Sequence, residues 1–396
     1  MSSEPGPVKR SAVGVLFLTV FIDLLGFGIV LPLLPRYARD FDANGLELGL
    51  LMASFSAMQL LFAPLWGRLS DRRGRRPMIM LGLGGSTASY VLFAVADTYA
   101  LLLVSRLLAG LFAATIGTAQ AYIADVTGRD DRGKEMALIG AAFGIGFTLG
   151  PVLGWLAHEF GGVRGPGFVA AGFSLVALLM AWKKLPEPAR HRPARAGRWF
   201  LNPEGLRIAL RTPGVPLVLG LQFLAVFCFS NFESTLALLT KEKWGYDIQG
   251  NGLLYTYVGF CLLVAQGAVV RRLMPRVGEK AFAWLGCALL GAGLLGIAAG
   301  GGALGWILAV LAVATFGFSM ISPSLSSLLS LHSPGDRQGE ILGLGQSVLS
   351  LARILGPFVG YALADRPPGR PYWTCAAIMA VAVAGALLLR APPADS

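Results

Sequence analysis

Twelve long apolar runs, divided by short polar breaks, constrain this 396-residue chain more than any other feature. They lie near 13–35, 47–66, 77–96, 99–122, 136–158, 167–185, 214–239, 250–270, 281–300, 303–329, 340–363 and 372–390. A run of roughly 20 apolar residues crosses about 30 Å of hydrocarbon as a helix. Within lipid the backbone is satisfied only in helices or closed barrels, and uninterrupted runs lack the alternation of barrel strands. The expected fold is therefore an all-α membrane protein with twelve transmembrane helices. Composition agrees, with 55% hydrophobic and only 14% charged residues, too apolar for an ordinary soluble domain. The first run outlasts the core of a signal peptide, so it is expected to stay as an uncleaved span after a short cytoplasmic N-terminus, residues 1–12.

Net charge is +11, and its distribution explains it without a polyanionic partner. With the N-terminus inside, 24 of the 33 Lys and Arg fall in cytoplasmic segments or, as Lys183, Lys184 and Arg390 do, at the cytoplasmic ends of spans. That bias predicts both termini in the cytoplasm, including the tail 391–396. Cys228, Cys261, Cys287 and Cys375 fall within spans and read as small buried hydrophobes. His158, His191 and His332 sit at span ends or in loops, which leaves no zinc site or buried imidazole relay. No cofactor and no nucleic acid are expected.

The longest polar break, 186–213, is rich in Pro and Arg and reads as a cytoplasmic linker. Trp199, Phe200, Leu206, Ile208 and Leu210, set among its basic residues, suit a helix lying on the inner leaflet. The linker separates an N-terminal six-helix bundle, 13–185, from a C-terminal one, 214–390. A shift of 206 residues superposes Asp130/Asp336, Gly133/Gly339, Leu149/Leu355, Gly150/Gly356, Pro151/Pro357 and Gly154/Gly360. The two bundles are expected to be pseudo-symmetric duplicates, an architecture of secondary transporters.

Four ionisable residues fall well inside spans: Asp23, Arg106, Glu233 and Arg353. Each costs about 2.5 to 3.5 kcal/mol at a helix centre on insertion scales, so each needs a partner or a wet cavity. At about 1.5 Å per residue, Glu233 and Arg353 lie at similar depth, and Asp23 lies within about 6 Å of Arg106 in depth. Two readings stay open. The four form static pairs that orient helices, or a carboxylate carries a coupling proton whose affinity a neighbouring arginine tunes. In the second reading Asp23 carries the proton, Arg106 tunes it, and Glu233 with Arg353 forms a second proton site or a substrate anchor.

Helical spacing adds polar stripes, with Gln120 on that of Arg106 and Gln346 and Ser350 on that of Arg353. Gln59 and Gln266 are equivalent between halves. Phe27, Phe227, Phe232, Tyr257 and Phe318 are candidate walls of a substrate cavity, with packing or lipid contact as the alternative. In span five Gly146, Gly150 and Gly154 recur on one face beside Pro151, with Gly356, Pro357 and Gly360 as their counterpart. They suit either ordinary close packing or a sliding seam between bundles.

The segment "GRLSDRRGRRP", Gly67 to Pro77, places five arginines and an aspartate between two spans. As a topogenic turn it needs only its positive charge. Asp71 suggests more, a latch in which the carboxylate meets a helix N-terminus and Arg75 reaches Asp125. Gly67 and Gly74 are expected to allow close approach or positive φ, and Arg72 belongs to the same charged knot.

On these residues the chain resembles the major facilitator superfamily over essentially its whole length. "GRLSDRRGRRP" resembles its signature between spans two and three, and "RLLAGLFAATIGTAQAYIAD" its fourth-span motif. "GFTLGPVLG" is similar to the fifth-span motif of the drug/proton antiporter branch, and "FIDLLGFGIVLPLLP" to the tetracycline-efflux-like group. Ser89 stands where tetracycline pumps carry a third-span acid, and the ninth span has none. The resemblance implies a proton-coupled exporter of amphipathic small molecules, with the latch favouring the outward-open state. It also implies a monomer in a bacterial inner membrane, whose partners are a small-molecule substrate, protons and the lipid bilayer. A symporter or facilitator of a metabolite, lipid or siderophore, and a non-transporting membrane receptor, are the alternatives. An enzyme is disfavoured, since no nucleophile–base pair or metal cluster is present.

Overall fold

The computed structural model describes residues 7–113, 115–126, 129–188, 203–333, 338–364 and 369–389. Among them the regular elements are all helical: α1 (Pro7–Val30), α2 (Leu34–Asp40), α3 (Gly45–Arg73), α4 (Arg75–Ala94), α5 (Tyr99–Phe112), α6 (Thr115–Val126), α7 (Arg129–Gly161) and α8 (Gly165–Lys184). After the linker follow α9 (Pro203–Arg211), α10 (Val215–Trp244), α11 (Ile248–Val264), α12 (Arg271–Val277), α13 (Glu279–Ala299), α14 (Leu304–His332), α15 (Gln338–Ala364) and α16 (Arg370–Leu387). A 3-10 turn at Leu31–Leu33 joins α1 to α2, and a π-helical segment at Ala265–Val270 joins α11 to α12.

Local chemistry sets several of these boundaries. Pro32 and Pro35 open the 3-10 turn and α2, where a missing N–H is tolerated. Before α3, Asn44 and Glu47 cap each other reciprocally, Asn44 N donating to Glu47 Oε2 at 2.8 Å and Glu47 N to Asn44 Oδ1 at 3.0 Å. Thr98 Oγ1 accepts from Leu101 N at 3.3 Å to start α5.

Ten helical runs among the described residues are long and apolar enough to cross a membrane. One of them, Thr148–Lys184, reverses at Gly162–Arg164 and so contains the end of α7 and all of α8. The shorter apolar α5 forms the fourth crossing with α6. Twelve crossings result, as the hydropathy pattern predicts. The fourth span departs from expectation in being interrupted: Ala113 N reaches back to Gly110 O at 3.3 Å, and Gln59 Nε2 donates to Ala113 O at 3.4 Å.

Two compact units divide the chain. The described part of the first comprises 7–41, 57–113, 115–126, 129–188 and 248–259, and that of the second 42–56, 203–247, 260–333, 338–364 and 369–389. In the first, α1 packs against α7 and α8, and α4 against α5 and α8. In the second, α10 packs against α15 and α16, and α13 against α14 and α16. Span for span this is the same set of neighbours, which extends the sequence repeat to packing.

The glycine stripes act inside each unit. A Cβ at Gly150 would lie 2.5 Å from the Gly28 carbonyl carbon, and one at Gly154 would lie 2.6 Å from Ile29 O. A Cβ at Gly146 would meet Leu24 at 3.2 Å. In the second unit a Cβ at Gly356 would lie 2.7 Å from Phe227 O, and one at Gly360 2.9 Å from the Asn231 amide. Close packing accounts for these glycines: they bring α7 to α1 and α15 to α10, because only a residue without Cβ lets those backbones touch. Pro151 and Pro357 lie within α7 and α15.

Candidate functional site

The charged knot is more ordered than a turn. Helix α3 continues through Gly67 to Arg73, and the chain reverses at a single residue, Gly74, whose φ is +108°. Gly74 thus behaves as expected, while Gly67 does not: it is helical, and an added Cβ would meet nothing within 4 Å. Arg75 gathers the knot. Its Nε donates to Asp125 Oδ2 at 2.8 Å, and its Nη1 contacts Asp71 Oδ1 at 2.5 Å and Ser70 Oγ at 2.6 Å. Arg72 lies at the exposed end of α3. Sequence reasoning missed Glu187, which accepts from Arg75 N at 2.7 Å with one oxygen and from Arg76 N at 3.0 Å with the other. Its carboxylate thereby caps two orphan donors at the N-terminus of α4. Nearby, Tyr122 Oη donates to Pro186 O at 2.7 Å, so the start of the linker is tied to the knot.

Deeper in the first unit, Asp23 on α1 takes hydrogen bonds from the hydroxyls of Ser174, at 3.5 Å, and Ser86. Arg106, on α5, is 2% exposed and faces the rings of Phe93 and Tyr90, its guanidinium carbon 5.4 and 6.0 Å from their centroids. Among the described residues no ion pair joins Arg106 to Asp23; Tyr90 lies within electrostatic reach of both. Ser89 is fully buried, its Oγ bonded to Gly85 O at 2.7 Å.

In the second unit Glu233 and Arg353 feel each other's charge, as their matching depth suggests. Arg353 is exposed on α15, one turn beyond Ser350, whose Oγ donates to the carbonyl of the exposed Gln346 at 3.0 Å. Gln266 lies exposed in the π-helical segment. Phe27 and Tyr257 are half-buried. Phe318 stacks on Phe229 at 3.7 Å. Phe232 is 1% exposed and Phe227 8%, so both are buried. Gln120 lies outside the described side chains.

The Major Facilitator Superfamily model matches residues 16–357, most of the chain. The chain belongs to the major facilitator superfamily. Quinolone resistance protein NorA of Staphylococcus aureus is 31% identical over 89% of each chain. Class B tetracycline resistance protein of Escherichia coli is 28% identical over 88% of each. The crystal structure of the human organic anion transporter MFSD10 (TETRAN) aligns with TM-score 0.73 and 27% identity, covering 96% of this chain and 100% of that one.

Membership makes the protein a multi-pass membrane transporter of a small molecule rather than an enzyme, and it makes the fold the major facilitator fold of two six-helix bundles. In superfamily terms, the knot between spans two and three and the charges in spans one, four, seven and eleven are the functional candidates. The structure brings Arg75, Asp71 and Asp125 together and sets Glu233 near Arg353. It gives Asp23 and Arg106 separate partners. Ser86 and Ser174 could not be read as partners of Asp23, since serines are frequent in such spans and carry no spacing signal.

Proposed function

We propose that this protein exports amphipathic small molecules in exchange for protons by alternating access, with Asp23 carrying the coupling proton. The observation that carries the reading is the setting of Asp23: a carboxyl deep in a span whose hydrogen-bond partners are neutral hydroxyls. Such a group gains or loses a proton without stranding a paired guanidinium, whereas a tight ion pair would resist the change. Glu233 with Arg353 is then a second proton site or an anchor for cargo. Likeness to tetracycline and quinolone resistance proteins and to an organic anion transporter supports an amphipathic cargo. The Arg75, Asp71 and Asp125 cluster serves as a latch favouring the outward-open state, with Glu187 holding its backbone. The expected setting is a bacterial inner membrane, with both termini cytoplasmic and the protein acting as a monomer.

The test uses purified protein in vesicles with an imposed pH gradient. Asp23→Asn is expected to abolish gradient-driven accumulation of a toxic compound identified in a resistance screen, while exchange of labelled for unlabelled compound continues. Undiminished gradient-driven transport removes Asp23 from this role.

A further inference from the structure

Of the two arginines within spans, Arg353 shares its surroundings with Glu233, but among the described residues Arg106 has no such counter-charge. Its Nη2 is buried without a hydrogen-bond partner, and its Nε makes only a long contact, 3.5 Å, with the Ser105 hydroxyl on the same helix. Phe93 and Tyr90 stabilise the cation through their ring faces, yet a ring face does not replace a hydrogen-bond acceptor for a buried N–H. Asp23 is occupied by serine hydroxyls. A buried guanidinium with an idle donor and no anion is costly to keep, and the cost is offset when an anion arrives from outside the chain.

We propose that Arg106 binds the anionic group of the transported molecule, a carboxylate carried on or beside an aromatic ring. The planar fork matches a carboxylate, with Nη2 donating to one of its oxygens. Phe93 and Tyr90 flank the same guanidinium as buried rings, Phe93 also stacked on Tyr37, which makes the surroundings of the bound carboxylate aromatic and suits a cargo that carries it beside a ring. Charge selects a monoanion, because a doubly charged phosphate would leave one negative charge uncompensated beside a single guanidinium. This assignment rests on the chain being a small-molecule transporter and is independent of the ion that drives it.

The experiment is equilibrium binding to the purified full-length protein in lipid nanodiscs, without any gradient. The probes share one ring system: 2-naphthoate, neutral 2-naphthamide and cationic 2-naphthylmethylamine. Naphthoate is expected to bind at least about tenfold tighter than either analogue, as one charge-assisted hydrogen bond allows. Arg106→Gln should erase that preference and Arg164→Gln, in the exposed turn between α7 and α8, should leave it intact. Phe93→Leu should weaken naphthoate and naphthamide alike. A second measurement needs no variant: phenylglyoxal modification of Arg106, mapped by mass spectrometry, should be slowed by naphthoate and not by naphthamide. The proposal is overturned if wild-type protein fails to bind naphthoate or binds all three probes alike. Retention of the carboxylate preference by folded Arg106→Gln protein, or Arg106 labelling that ignores naphthoate, overturns it equally. Because no proton gradient is present, a negative result here leaves the Asp23 reading standing, and failure of Asp23→Asn in vesicles leaves this site standing.

Discussion

Gly67 and Gly74 bound the charged knot and answer to different constraints. Gly74 has φ +108°, and a Cβ there would lie 2.5 Å from a Glu187 carboxylate oxygen. Gly74→Ala therefore combines backbone strain with displacement of the α4 cap and is expected to cost about 1 to 3 kcal/mol. Gly67 is helical with open space at its Cβ, so Gly67→Ala should be neutral or gain up to about 1 kcal/mol. Melting temperatures of the purified variants separate the two; equal losses would contradict this account of the turn. Glu187→Gln keeps one acceptor oxygen where the backbone of Arg75 and Arg76 needs two. It should lower stability by about 1 kcal/mol and weaken the hold on Arg75, read as a lower melting temperature and slower transport. No change in either measure would reduce Glu187 to a surface contact. Arg75 and Asp125 were legible in the sequence because each is a charge at the end of a span. Glu187 was not, since it stands 112 residues from Arg75, in a Pro-rich stretch that reads only as linker.

Among elements, α7 lies close on α1 and α15 close on α10, and both approaches depend on glycine. Gly150→Ala would drive a methyl into the Gly28 backbone, which has no rotamer with which to yield, so about 1 to 3 kcal/mol should be lost as the helices part. Gly172→Ala, on α8 with nothing within 4 Å, serves as the comparison and should leave the melting temperature unchanged. If both variants melt alike, the tight α1–α7 contact is not what holds the first unit. The periodic glycines were visible in the sequence, but their destination was not: periodicity shows which residues share a face and leaves open which helix covers it. The interruption of span four was likewise hidden, for no proline marks it and its nearest cause is an amide from α3, Gln59. Element number and type were legible because a hydrocarbon slab imposes one length on every crossing.

For the molecule as a whole, orientation follows from where its positive charge lies. An even number of crossings puts both termini on one side, and 24 of 33 basic residues belong to that side's segments and adjoining span ends. Lys and Arg near span ends resist translocation far more than Asp and Glu do, so the basic side is expected to stay in the cytoplasm. The four native cysteines are free and buried, which allows a direct labelling test with a membrane-impermeant maleimide. Asp97→Cys places a thiol at an exposed position between α4 and α5, and it should react in intact cells. Arg73→Cys places one at the exposed end of α3, and it should react only after the membrane is opened. The reverse pattern would put the knot outside, and with it Arg75, Asp125 and Glu187. A cytoplasmic latch would then be impossible, while cargo would still leave as protons enter, because the gradient and not the protein's orientation sets the direction of exchange.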